Sequence, residues 1–126
     1  MSTVSAWVAG IVDGEGSIYC SGLPRKYVSV TLRICMTSRK LIQYIHKNFG
    51  GTIYTRDRRA PWKRQYDLVW SGSDVLPVLL KIRRHLRLKG PQADLACRIL
   101  ALPNGHSQKT ILARRIKRLN HRGTHA

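Results

Sequence analysis

The stretch from Val8 to Gly16, VAGIVDGEG, constrains this chain more than any other segment. Its apolar and very small residues predict a helix of about residues 4–14, which the glycines at its end terminate. Asp13 and Glu15 then place two carboxylates at the C-terminus of that helix, where the negative end of the backbone dipole disfavours them. A bound divalent cation would offset this repulsion, because carboxylate oxygens are the ligands that Mg²⁺ prefers.

The charge balance indicates a polyanionic partner. The 126-residue chain has 23 Lys and Arg against 6 Asp and Glu, a formal net charge of +17, and Glu15 is its one glutamate. Nucleic acid is the first candidate for such a partner. A membrane surface would favour one concentrated amphipathic helix, whereas these basic residues are spread over predicted strands, loops and helices.

The chain lacks an apolar run of the length that a membrane span needs, and its N-terminus lacks the layout of a signal peptide. We therefore expect an intracellular protein, and the sequence does not distinguish an organelle, mitochondrion or chloroplast, from a prokaryotic or phage-infected cytoplasm. The three cysteines are far apart and odd in number, and the five histidines are scattered, so that neither a disulfide framework nor a zinc site is expected.

The order of predicted elements indicates an α+β fold in a single domain of residues 1–126. After the first helix we expect strands at about 17–22 and 27–36, a helix at about 39–49, and strands at about 52–57 and 63–71. Helices at about 73–85 and 91–102 complete a core of about 3–103, followed by a basic helix at about 107–119 and a frayed tail at 120–126. Paired strands with helices gathered on one face suit a four-stranded antiparallel sheet.

Strict alternation from Tyr27 to Met36 predicts that this sheet has one apolar face and one outward face. Short polar groups mixed with arginines on the outward face suit base edges in a major groove, although an ordinary solvated face has a similar composition. Basic residues in the turns suit phosphates. The predicted contacts with DNA are Ser17, Tyr19, Ser21, Arg25, Lys26, Ser29, Thr31, Arg33, Cys35, Tyr54, Arg56, Arg58, Arg59, Lys63, Gln65 and Asp67.

The segment from Trp7 to Ile18, WVAGIVDGEGSI, resembles the motif of the LAGLIDADG homing endonucleases. Gly14 stands at an alanine position of that motif and Glu15 at its second aspartate. The predicted helix and strand order extends the resemblance to about residue 100. A further match is the run Leu86 to Lys89 followed by Gln92 and Ala93, which is similar to the run at the family's later lysine.

The resemblance implies an αββαββα fold whose antiparallel sheet forms a DNA-binding saddle, with the helices on the opposite face. In the family, the helices of two motif copies pack against each other. A chain with one copy therefore implies a symmetric homodimer on a long, nearly palindromic duplex. The implied interface residues are Ala6, Ala9, Gly10 and Asp13.

The resemblance also implies site-specific, metal-dependent cleavage of both DNA strands by an intron-encoded protein. Glu15, with Gly14 beside it, would hold Mg²⁺, for which Mn²⁺ or Ca²⁺ would substitute in binding. Lys89 would stabilise developing charge. Ser38 lies near a position where the family often has a glutamine that holds the attacking water; here it would act as a catalytic group or simply as a helix cap.

Two other functions remain open from the sequence. An intron-encoded maturase would bind intron RNA with weak or lost cleavage, and the basic C-terminal helix suits this role as well as it suits an endonuclease. A basic ribosomal or architectural protein is the third candidate. Glu15 favours the endonuclease, because binding RNA does not require that carboxylate.

Overall fold

The computed structural model describes residues 3–22, 27–57 and 64–125, with side chains as far as His121. The helices are α1 (Thr3–Glu15), α2 (Arg39–Phe49), α3 (Val75–Ile82), α4 (Gly90–Ala101) and α5 (Ser107–His125). The strands are β1 (Gly16–Ser21), β2 (Ser29–Met36), β3 (Thr52–Arg56) and β4 (Gln65–Ser71). Short 3₁₀ turns at Gly72–Asp74 and Arg83–His85 flank α3.

The four strands form one antiparallel sheet in the order β1-β2-β4-β3, so the predicted α+β architecture is confirmed. Gly16 pairs with Ile34, and Ile34 pairs in turn with Leu68. Since side chains alternate between the two faces of a strand, this register places every second residue of the four strands on a common face.

The core lies between one face of the sheet and the helices. Its largest fully buried side chains include Ile18, Leu32 and Ile34 from the sheet and Leu79, Ile99 and Ile116 from the helices. Trp70 on β4 is also buried, and its indole N–H donates to the carbonyl of Phe49 at 3.0 Å. Gly51, at a φ of +89°, lies against Trp70 so closely that a side chain there would strike the indole.

Helix α5 closes the outer edge of β1. The Asn120 amide donates to the carbonyl of Ile18 at 2.8 Å and accepts from Gln92 of α4 at 3.3 Å. The first of these bonds satisfies a backbone carbonyl that an edge strand would otherwise leave open, and the second holds the Asn120 amide in place. The helix predicted to end near 119, with a frayed tail, instead extends to His125.

The remaining boundaries agree with the predictions to within a few residues. Helix α3 is shorter than the predicted helix of 73–85, because both of its ends tighten into 3₁₀ turns. Pro91 lies in the first turn of α4, where its missing N–H leaves no gap in the hydrogen-bond ladder. Along the described part of the chain, no helix combines the length and apolarity needed to cross a membrane.

Candidate nucleic-acid interface and catalytic centre

The face of the sheet opposite the helices, here called the open face, gathers the predicted contact residues that the structure describes. Directly paired residues include Ser17 with Arg33, Cys35 with Asp67, and Arg56 with Gln65. Because paired residues point to the same side, four strands contribute to one polar surface. The described members of the predicted set that lie on it are Ser17, Tyr19, Ser21, Ser29, Thr31, Arg33, Cys35, Tyr54, Arg56, Gln65 and Asp67.

One ion cluster occupies the centre of the open face. Asp67 on β4 pairs with Arg33 on β2 and with Arg56 on β3. Arg56 approaches the carboxylate side-on, with its Nε 3.0 Å from Oδ2 and its Nη2 3.3 Å from Oδ1. Nη2 of Arg56 also donates to Gln65 Oε1 at 3.0 Å and to the sulfur of Cys35 at 3.3 Å. We call Asp67, Arg33 and Arg56 the arginine cluster.

Asp67 is ionised in this setting in spite of its burial. Burial raises the pKa of the Asp67 carboxyl, but hydrogen bonds from Cys35 and Arg33 and the charges of both arginines outweigh it, so the pKa lies below the ordinary value. The hydrogen bond with Asp67 in turn raises the pKa of the Arg33 guanidinium, against the effect of burial. The cluster therefore combines two cations and one anion and keeps a net positive charge.

Two of the predicted contact residues have almost no surface to offer DNA. Asp67 is 0% exposed, because the two arginines cover its carboxylate. Thr31 is 8% exposed, between its paired neighbours Tyr19 and Ser71. Alternation along a strand predicted the correct face for both, but neighbours on adjacent strands bury them there. Their prediction as direct contacts is therefore corrected.

The C-terminus of α1 meets the loop before α4. The Asp13 carboxylate accepts the backbone N–H groups of Arg87 at 2.7 Å, Leu88 at 3.0 Å and Lys89 at 2.9 Å. The Lys89 ammonium donates to the backbone carbonyl of Asp13 at 2.9 Å. A cation at the end of a helix complements its dipole, and the three N–H groups hold the carboxylate in place.

The Asp13 carboxylate does not need a bound cation to offset its position at the C-terminus of α1. Burial raises the pKa of the Asp13 carboxyl, but the N–H groups of Arg87, Lys89 and Leu88 and the charge of Lys89 outweigh it, and the pKa lies below its ordinary value of 3.8. The unfavourable position of Asp13 is thus offset within the chain. The carboxylate fixes the chain's own loop, and the prediction that Asp13 also lies at a dimer interface stays a prediction.

Glu15 differs from Asp13 in having no such partner. Its side chain is exposed, and among the described residues nothing forms an ion pair or hydrogen bond with it. Gly14 beside it is exposed as well. The described side chains of His, Cys, Asp and Glu contain no group of three that could hold a metal ion. At the motif the described chain therefore offers a single carboxylate without a partner, which suits Mg²⁺ only if other oxygen ligands such as phosphate and water complete the shell.

Ser38 acts as a helix cap in this structure. It is the N-cap residue of α2, and its Oγ accepts the backbone N–H of Leu41 at 3.3 Å. A side-chain oxygen at this position satisfies one of the free N–H groups at the start of a helix. Of the two roles considered for Ser38, the structure shows the cap, and the catalytic role stays a prediction.

The exposed side of α1 contains only part of the predicted interface. Ala6 and Gly10 face outward, and a Cβ added at Gly10 or Gly14 would meet no atom within 4 Å. Ala9 is 0% exposed and packs into the chain's own core with Val8 and Val12. Ala9 is thus removed from the predicted interface, because the helix turns it toward the sheet.

Sequence reasoning missed the groove beside this side of α1. A groove of about 520 Å³ is lined by Ala6, Gly10, Asp13, Arg84, His85, Leu86 and Arg87. Arg84 and Arg87 add positive charge next to the small residues of α1. The buried Nε2 of His85 lacks a hydrogen-bond partner among the described groups. In the sequence, the basic run from Arg83 to Arg87 was the one sign of this groove. That the run lies beside α1 is known only from the packing of α1 on this loop.

Other predictions concern residues beyond the described ranges or lie elsewhere. Arg25, Lys26, Arg58, Arg59 and Lys63 fall outside the described residues, so their predicted phosphate contacts stay predictions. The basic helix α5 lies in the helix layer, where Arg98, Arg115 and Arg118 line a groove of about 490 Å³ between α4 and α5.

Comparison with known proteins supports the resemblance in the motif. No family model matches the chain. It is similar to the homing endonuclease I-CvuI, in a complex with DNA that is not cleaved in 2 mM Mg, with 26% identity and a TM-score of 0.73 over 92% of this chain and 81% of that one. The archaeal intron-encoded homing endonuclease I-Vdi141I, complexed with DNA, has 17% identity and a TM-score of 0.72 over 94% and 91%. The homing endonuclease I-TnaI has 22% identity and a TM-score of 0.68 over 97% and 99%.

The matches to I-Vdi141I and I-TnaI, at 17% and 22% identity, show that the fold is shared. The match to I-CvuI, at 26% identity, adds similarity of sequence over most of the chain. A match to the LAGLIDADG homing endonuclease I-GzeII, with 17% identity and a TM-score of 0.65, covers 91% of this chain but 43% of that one. The motif at the end of α1 and the four-stranded sheet are thus found together, with one copy of the motif in the sequence. The chain shares the fold of homing endonucleases, and its segment from Trp7 to Ile18 resembles the LAGLIDADG motif.

Proposed function

We propose that this protein is a site-specific DNA endonuclease that acts as a homodimer on a long, nearly palindromic duplex and depends on Mg²⁺. The observation that carries the proposal is the exposed Glu15 at the end of α1, which has no partner among the described residues, in a chain of net charge +17. Similarity to homing endonucleases in complex with DNA, in the presence of Mg and Ca, supports the substrate and the metal. A DNA substrate also agrees with the predicted location inside a cell or organelle.

Hydrolysis of a phosphodiester needs positive charge where the phosphate oxygens become more negative. Glu15 and the Gly14 carbonyl would hold Mg²⁺, which would supply positive charge to stabilise the phosphate oxygens during hydrolysis. Lys89 is anchored through Asp13 two residues before Glu15, and its ammonium has donors beyond the one given to the Asp13 carbonyl. Those donors are available to the scissile phosphate. Asp13 orients the loop that bears Lys89 and is a positioning residue.

The open side of α1 supports association with a second copy. Glycine within a helix costs about 1 kcal/mol relative to alanine, and nothing within the described chain requires glycine at residue 10 or 14. A second α1 approaching closely would require both. Dimerisation brings two Glu15 carboxylates to one centre, one for each DNA strand.

The cleavage assay tests the reaction. A randomised duplex pool incubated with Mg²⁺ should yield one nearly palindromic sequence that the protein cuts on both strands. On that sequence, Glu15→Gln should cut at least about 100-fold more slowly while binding as tightly as the parent, because it removes a metal ligand and one negative charge. Asp57→Asn is the matched control, since it removes an exposed acid after β3 that pairs with Arg64 and lies outside the motif. Cleavage by Glu15→Gln at the parent rate would overturn the assignment.

Sedimentation tests the dimer. Gly10→Ala should raise the stability of the monomeric helix by about 1 kcal/mol yet weaken self-association on DNA by at least about tenfold. A parent protein that sediments as a monomer on its cleaved target would contradict the homodimer. An RNA-binding role without cleavage is less favoured, because it does not require the exposed Glu15 carboxylate, which has no partner among the described residues.

A further inference from the structure

The two arginines of the arginine cluster differ in how many of their guanidinium nitrogens bind Asp67. Arg56 is bound to Asp67 through both Nε and Nη2, and Nη2 is also bound to Gln65. Arg33 is bound to Asp67 through Nη2 alone, and it also interacts with Tyr19. The Arg33 side chain is 36% exposed and that of Arg56 is 48% exposed, so both reach the open face. What distinguishes Arg33 is that fewer of its N–H donors are bound to Asp67.

Asp67 is itself excluded as a direct reader of a base. Its carboxylate is buried and accepts from both arginines, so that it can reach neither a cytosine amino group nor a water at the surface. Asp67 would also weaken phosphate binding by the two arginines, because its negative charge cancels one of their two positive charges. What it adds is a fixed direction for flexible guanidinium groups, which reduces the entropy that they lose on binding.

The position of Arg33 also favours a base over the phosphate backbone. β2 is an interior strand of the sheet, between β1 and β4, and Arg33 is paired with Ser17 on one side and Val69 on the other. Cations at edges and turns suit phosphates, whereas a central arginine faces the floor of a groove laid on the sheet. Of the four bases, guanine presents two acceptors, O6 and N7, that match the fork of an arginine.

We propose that Arg33, oriented by the buried Asp67, reads a guanine through O6 and N7 at one position of each half-site. Arg56 is the second counter-ion of Asp67 and holds the carboxylate in place. Asp67 is therefore a positioning residue that determines specificity without touching DNA. This inference rests on the proposed function, because it needs a duplex on the open face of the sheet.

The test measures equilibrium binding, with Ca²⁺ in place of Mg²⁺, to the selected target and to every single-base variant of its half-site. The parent should prefer guanine at one position by about 10- to 100-fold. Arg33→Ala should reduce that preference to less than about 3-fold and leave other positions unchanged. Asp67→Asn should reduce it at the same position, and the double variant should be no worse than Arg33→Ala, since both act through one contact.

Two further variants keep the test decisive. Asp57→Asn removes the same charge from an exposed pair with Arg64 and should leave the whole preference profile unchanged. Arg33→Lys keeps the charge and the stem but loses the fork, and it should lose the guanine preference even if Asp67→Asn does not fold. If Arg33→Ala weakens binding to all sequences equally and lowers the salt slope by about one phosphate, Arg33 binds the backbone and the inference fails.

Failure of the proposed function is distinguishable from failure of this inference. A parent protein that shows no binding to duplex DNA overturns both. A parent that binds and cuts a defined site, but prefers no guanine that depends on Arg33, overturns the inference alone. Loss of the preference in Arg33→Ala with an unchanged profile in Asp67→Asn, when that variant folds, contradicts the positioning role of Asp67.

Discussion

Two regions of the molecule, the centre of the open face and the C-terminus of α1, each contain an aspartate whose charge is balanced by groups of the same chain. The charge that each region exposes at its surface is nevertheless of opposite sign. In the arginine cluster the acid is hidden beneath two arginines, and a cation faces outward. At the end of α1, Asp13 is held by three backbone N–H groups and by Lys89, while Glu15 stays exposed and unpaired among the described residues. The two regions therefore suit different parts of a DNA substrate.

The comparison shows how to distinguish structural acids from reactive ones in a strongly basic chain. Asp13 and Asp67 both have a pKa below the ordinary value for a carboxyl group, because N–H donors and cations surround them. A carboxylate whose acceptors are already occupied orients its neighbours. A carboxylate without partners remains free to bind a metal ion, and in the described part of the chain Glu15 meets this description at the motif.

The largest effect on stability is expected for Asp67→Asn. Removing one member of a buried ion pair leaves uncompensated charge and costs about 3–5 kcal/mol. Because the Arg33 and Arg56 side chains are 36% and 48% exposed, solvent relieves part of this, and we expect the free energy of unfolding to fall by about 2 kcal/mol. Urea unfolding measures it, with Asp57→Asn as control at less than about 0.5 kcal/mol. Equal values for the two variants would contradict the structural role of Asp67.

A somewhat smaller effect is expected for Asp13→Asn. The carboxylate accepts three backbone N–H groups, of which those of Arg87 and Leu88 lie near solvent, so water replaces part of the loss. We expect a loss of about 1.5 kcal/mol in urea unfolding. Cleavage of the selected target should fall as well, because Lys89 loses its fixed position. Parent-like stability with parent-like cleavage would show that the loop does not depend on Asp13.

The loss of stability at low pH depends on the carboxylates of both Asp13 and Asp67. The pKa values of Asp13 and Asp67 are lowered on folding, so the stabilisation is complete above the ordinary value of 3.8 and is lost as the pH falls through the lower, folded values. The free energy of unfolding should therefore decrease from about pH 5 to about pH 2. Asp13→Asn and Asp67→Asn should each flatten this decrease. An acid limb of unchanged steepness in both variants would contradict the pairing.

The smallest effect is expected for Glu15→Gln. The side chain has no described partner, and its negative charge at the C-terminus of α1 is unfavourable with respect to the helix dipole. Neutralising it should change the free energy of unfolding by less than about 0.5 kcal/mol, and toward greater stability. Urea unfolding beside Asp13→Asn provides the comparison. A loss of more than about 1 kcal/mol would show that Glu15 is a structural acid like its neighbour.

Local patterns predicted the elements and faces because they depend on neighbouring residues in the chain. Alternation from Tyr27 to Met36 placed β2 and its outward residues, and Ser38 was predicted as a possible helix cap. The motif placed Glu15 at the end of α1. These features follow from periodicity and capping, and the structure agrees with them to within a few residues.

The contacts that sequence reasoning missed or misplaced all depend on partners far away in the sequence. Asp13 binds backbone groups more than 70 residues along the chain, which no local pattern reveals. Asp67 lies on the predicted face, yet arginines on two other strands bury it. Ala9 belongs to the small-residue stretch, but the rotation of α1 against the core turns it inward.

Composition, alternation and the motif were enough to determine an antiparallel α+β protein with a basic surface and an acid at the end of its first helix, since each is a property of short segments. Which carboxylates are bound by neighbours, and how many N–H donors each arginine gives to Asp67, was decided only when distant strands and loops came together. Hydrogen bonds and ion pairs form between atoms a few ångströms apart, and folding alone determines which atoms those are.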